Sequence, residues 1–141
     1  MTNRIAAWFS RAVLLAALIV LALIGGRYIG DPFGAAAASD MTLDSPLAVT
    51  NMRASFGAFP LGCALFVLLC LVTSSLRRIG VVFVALIIGT VLGVRLFGTV
   101  ADGAFADSLR VLTAETVLFC LSLAAYAGER LSPDNSLKRR A

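Results

Sequence analysis

Four stretches of this chain are long and apolar enough to cross a bilayer, and each carries at most two charges. Residues 5–26 hold only Arg11, 46–75 only Arg53, 79–101 only Arg95, and 108–128 only Arg110 and Glu115. Crossing the hydrocarbon core takes about 20 helical residues at 1.5 Å each. A chain of 141 residues that is 60% hydrophobic and 14% charged has too little polar surface for a water-soluble domain. Its mean hydropathy of +0.94 points the same way. The sequence predicts a single all-α membrane domain, 1–141, with spans at about 5–26, 46–75, 79–101 and 108–128 and a flexible tail over 129–141.

The boundaries follow from local chemistry. Arg4 and Arg11 before the first apolar run, with small residues at 35–38, would also fit a cleaved signal peptide. Arg27, Tyr28 and Asp31 set that alanine run far from the apolar core, so an uncleaved first span is expected. Pro32 and Gly34 break helix, and 35–38 can form a short interfacial turn. Ser45-Pro46 reads as an N-cap followed by proline at the first helical position. Pro60, inside the second span, cannot donate to the Phe56 carbonyl, which predicts a kink eased by Gly57 and Gly62. Arg77-Arg78 and Gly80 form a short turn, the third span starts near Ile79, and Asp107 or Ser108 is the expected cap of the fourth. The tail is expected to fray beyond Pro133.

Short connections make spans two, three and four antiparallel neighbours, so the simplest architecture is a four-helix up-down bundle. Charge sets its orientation. Of the 12 Lys and Arg residues, Arg4, Arg11, Arg77, Arg78, Arg130, Lys138, Arg139 and Arg140 fall on the side of the N-terminus. Arg27, Arg53, Arg95 and Arg110 fall on the other side or within the outer halves of spans. The positive-inside bias therefore places both termini in the cytoplasm. The net charge of +4 is a topology signal and does not suggest a nucleic-acid partner; the expected partners are the bilayer and other membrane subunits or a second copy.

The absence of histidine excludes His-ligated haem, His-based zinc and histidine general bases. Cys63, Cys70 and Cys120 lie in apolar runs with no Cys-x-x-Cys and read as packing residues. No metal, cofactor or catalytic residue is expected, and the chain does not read as an enzyme.

Ionisable groups inside spans are costly and hence candidate functional residues. Counted from the inner ends, Arg95 lies ~4–5 Å and Glu115 ~9 Å inside the outer boundary. Arg95 can snorkel outward and Glu115 cannot, so Glu115 needs a partner, either Arg95 or Arg53. Arg95 and Asp102 share a helix face, and Asn51 and Arg53 sit at the mouth of the second span. Asn51, Arg53, Arg95, Asp102 and Glu115 can line an outward polar pocket, or Arg95 and Glu115 can simply clasp two helices. Ala54, Ala58 and Gly62 on the second span and Gly89 and Gly93 on the third are spaced for close helix packing, as are Gly26 and Gly30 on the first.

Asn51-x-Arg53-Ala54-x-x-Gly57, then Arg95-Leu with Asp102-Gly103, then Glu115, resembles a bacterial family of small four-helix inner-membrane proteins known as a domain of unknown function. The resemblance covers residues 12–127. It implies four spans and a shared place for the signature polar residues, and it implies no activity. Ala58 departs from that family, where a second glycine often follows the first. The first expectation is thus a structural or accessory inner-membrane bundle with an Arg95–Glu115 clasp. The second is a binding or transport module whose outer pocket takes a small anion or lipid headgroup through Arg53 and Arg95.

Overall fold

The computed structural model describes residues 3–103 and 105–131. Helix α1 (Asn3–Gly30) runs beyond the expected limit of 26, because Asp31 N–H still reaches the Arg27 carbonyl at 2.9 Å. Asp31 then caps the short α2 (Pro32–Ala37), accepting from Gly34 N–H at 3.0 Å, with Pro32 in the first helical position. The interfacial turn expected at 35–38 is therefore part of this helix. Pro32, Ala35 and Ala36 are buried, and α2 packs against α1. Ser45 caps α3 (Pro46–Met52) as expected, its Oγ accepting from Ala48 N–H at 3.1 Å.

The second span is continuous through α3, a π-helical segment (Arg53–Ala58) and α4 (Phe59–Val72). Here the structure refines the expectation of a kink at Pro60. The proline removes one donor and crowds the preceding turn, and the backbone there widens into a π turn while the helix continues. Phe59 N–H reaches back five residues to the Ala54 carbonyl.

Thr73 is extended and ends α4, and a 3-10 turn (Ser74–Leu76) leads into α5 (Arg77–Ala101). The second span thus stops at Val72 rather than 75. Arg77 and Arg78 form the first turn of α5 instead of the connection. Cations at a helix N-terminus oppose its dipole, so Arg77 needs a compensating partner there. Asp102 closes α5 through its N–H to the Gly98 carbonyl at 2.8 Å, and Gly103 follows at φ +71°, a left-handed conformation suited to glycine. Helix α6 (Phe105–Leu131) starts before the expected cap, so 107 and 108 lie in its first turn and the capping position is outside the described residues. The tail from 132, with Pro133, Lys138, Arg139 and Arg140, also lies outside them.

Each of the four long helical stretches is long and apolar enough to cross a membrane. They pack in a ring, α1 on α4, α4 on α5, α5 on α6 and α6 on α1, with α1 also touching α5 across the middle. The core occupies the half nearer the termini, where Val13, Leu14 and Ala17 of α1 meet Val67, Val81, Val84 and Ala125. Gly80 lets α5 close on Cys70 and Leu14; a Cβ there would lie 2.5 Å from the Cys70 Cβ. This interdigitation holds the bundle through dispersion and close packing, the forces on which helices in lipid would depend. Cys63 and Cys70 share the interior, whereas Cys120 is exposed on α6.

The other half is built differently. There the π segment packs on α1 and α5 packs on α6, whereas among the described residues the π segment makes at most marginal contact with α5 or α6. At the first of these contacts Gly25 meets Gly57, where a Cβ on Gly25 would come within 2.8 Å of the Gly57 carbonyl oxygen. The bundle is closed at one end and parts into two helix pairs at the other. Its outer surface carries Leu23, Leu65, Leu86, Val94 and Val117, all exposed, as a lipid-facing surface would require.

Candidate functional site

The α5–α6 hairpin brings together two charges that lie within its apolar helices. Arg95 Nε donates to Oε1 and Oε2 of Glu115 at 3.0 and 2.9 Å. The Glu115 side chain is 13% exposed and that of Arg95 is 37% exposed, so the carboxylate is the more enclosed partner. Helical phase explains the encounter. On α6 the same face carries Leu112, Glu115, Phe119 and Ser122 at three- and four-residue spacing. Phe119 lies over Gly89 of α5, where a Cβ would sit 2.8 Å from its ring, and this contact sets how closely the two helices approach.

A second ion pair on the same interface is absent from the sequence reading. Arg77 Nε and Nη2 donate to Glu129 Oε1 and Oε2 at 2.6 and 3.2 Å, a two-pronged bond between side chains 18% and 12% exposed. Arg77 and Arg95 are about five helical turns apart on α5, and Glu115 and Glu129 about four turns apart on α6, so both pairs fall on one seam. The buried Ser10 stands beside Glu129. Arg78 and Arg130 both approach the ring of Tyr126, at 5.6 and 5.7 Å from its centroid. The missed signal was the periodicity of α6. Glu129 extends the inward stripe of Ser122 and Ala125, although its polar neighbours read as tail.

Of the five candidate polar residues, the structure joins Arg95 and Glu115 and places the other three elsewhere. Arg53 donates from Nε to the Ile29 carbonyl at 3.3 Å, tying the second span to the C-terminal end of α1. Asn51 is exposed on α3, and Asp102 is exposed where α5 ends. None of these three lines the hollow that the ion pair faces. That hollow is a cavity of ≈ 530 Å³, with apolar walls from all four spans, including Leu21, Phe59, Ile88 and Leu118. Ser55, Arg95 and Glu115 are its polar members.

The small residues divide in the same way. Gly89 packs against Phe119, whereas Gly93, Gly62, Gly26 and Gly30 have open space where a Cβ would stand. Ala54, Ala58 and Gly62 form an exposed stripe on the second span. The glycines in closest inter-helix contact on α1 and the second span are Gly25 and Gly57. Among the described residues, no three His, Cys, Asp or Glu side chains group as metal ligands.

Fold and site together define a helical protein with four helices long and apolar enough to cross a membrane, apolar outside, with two of them bridged by two ion pairs. The chain belongs to the family described as Domain of unknown function (DUF4345), whose model matches residues 9–126, from the first helix into the last. No curated protein and no solved structure matches it.

Proposed function

We propose that this chain is a multi-pass protein of the bacterial inner membrane, with both termini cytoplasmic, acting as a non-catalytic structural or accessory bundle. In this reading Arg95 and Glu115 are the clasp that holds the outer hairpin in register. The observation that carries it is the three-centre bond from Arg95 Nε to a carboxylate that is almost enclosed. A lone charge within a span costs up to ~2.5–3.5 kcal/mol, and pairing offsets most of that. Association with another membrane subunit, or with a second copy, is supported by Ala54, Ala58 and Gly62. These face outward and leave room for a close helix approach.

The test is a double-mutant cycle on the purified protein in detergent, read by thermal unfolding. Arg95→Met and Glu115→Gln should each lower stability by about 1–3 kcal/mol, and the double variant should recover at least half of the summed loss. Two single variants as stable as the parent would remove the clasp from consideration.

A further inference from the structure

We propose that the cleft between the two helix pairs is a binding site for a long-chain lipid, with one acyl chain lying along the cleft and an oxygen of its head group bonded to Arg95. The dimensions suit such a ligand. A cavity of ≈ 530 Å³ falls within the roughly 300–1,000 Å³ usual for ligand pockets. Its lining on α5 runs from Ile87 to Arg95, about 12 Å along the helix axis at 1.5 Å per residue, so the site is elongated in the direction of lipid tails.

The walls select the contents. Below the ion pair they present Leu21, Phe59, Ile88 and Leu118. Water would find no partners there, and apolar cavities stay dry. Left empty, the walls would forfeit dispersion contacts that a hydrocarbon chain supplies. The cleft also has an entrance. Among the described residues the π segment and α3 have at most marginal contact with α5 and α6, so the two pairs are separated towards the bilayer and a chain can slide in sideways. The widened π turn places Ser55 and Phe56 along this edge, and such turns recur at functional sites.

The ion pair selects the head. Arg95 spends only Nε on Glu115, and its two terminal amino groups make no hydrogen bond among the described residues. The guanidinium is the more exposed partner. Because Glu115 already balances its charge, the site asks for a hydrogen-bond acceptor more than for a second full anion. The carboxylate of a fatty acid and the ester carbonyl of a phospholipid both meet that demand.

A long-chain fatty acid with a diazirine near its methyl end tests this on the full chain in detergent. After photolysis, adducts should concentrate on Leu21, Ile88 and Leu118 at the deep end of the cleft, with few on Leu65, Leu86 or Val117 outside. Ala114→Phe, which puts a ring into the cleft, should cut that labelling at least about tenfold with no fall in melting temperature. Val91→Phe from the neighbouring helix α5 serves if the first variant does not fold. Competition identifies the source. Displacement by unlabelled fatty acid alone points to the free acid, and displacement by phosphatidylglycerol points to a membrane phospholipid chain. Adducts spread evenly over the outer surface, labelling indifferent to both ring-bearing variants, or equal competition by an alkane without a head group would overturn the proposal.

Discussion

The Nε of Arg95 donates at once to both carboxylate oxygens of Glu115, at 3.0 and 2.9 Å. One donor shared between two acceptors fixes distance but leaves the guanidinium free to swing about the contact. At the other end of the hairpin Arg77 uses two nitrogens on two oxygens of Glu129, which fixes orientation as well. The seam between α5 and α6 therefore has a rigid end, beside the packed core, and a pivoting end, beside the cleft.

That asymmetry predicts different tolerance to lysine. Arg77→Lys loses the fork and should cost about 1 kcal/mol or more of stability. Arg95→Lys keeps a single donor and should cost less than about 0.5 kcal/mol. Thermal unfolding of the two variants in one detergent compares them directly, and equal losses would mean that the two pairs do not differ in kind.

Neighbouring glycines on α1 should behave differently. Gly25→Ala drives a Cβ against the backbone of the second span, within 2.8 Å of the Gly57 oxygen, and should destabilise by about 1–3 kcal/mol. Gly26→Ala meets nothing within 4 Å and should change stability by less than about 0.5 kcal/mol. A melting series on these two variants tests whether the α1–π contact is as close as described. Comparable losses at both positions would contradict it.

The inferred orientation has a labelling signature. Thr42 and Ser75 are exposed, in the connections at opposite ends of the second span. Thr42→Cys should react with a membrane-impermeant maleimide while the cytoplasmic membrane is intact. Ser75→Cys should react only after lysis, and the parent chain serves as background. The reverse pattern would invert the protein in the membrane.

Much of the fold was legible because its causes are local. A run of apolar residues is a span whatever surrounds it, and Ser45-Pro46 starts a helix through its own hydroxyl and ring. The Arg95–Glu115 encounter was also within reach, since a short hairpin and helical phase bring opposite charges to one level. Glu129 was not, because composition near the chain end resembles a solvated tail and only its place on the α6 stripe reveals it. Pro60 announced a defect without its form. The π turn that the missing donor produces lies just before Pro60, where Gly25 of α1 packs against Gly57, and that long-range contact is invisible in the local sequence.

By itself, the sequence determined that this chain is helical, with four runs long and apolar enough to cross a bilayer, because hydrocarbon permits no unsatisfied backbone and the apolar runs have the length of a span. The tertiary structure alone decided which small residues touch, where the bundle closes and where it opens. Those outcomes depend on the rotation of each helix about its axis, about 100° per residue, so a shift of one position from Gly26 to Gly25 turns an open face into the contact. They depend also on which helices diverge. That divergence leaves the Arg95–Glu115 pair, joined by the α5–α6 hairpin, at the edge of an apolar cleft.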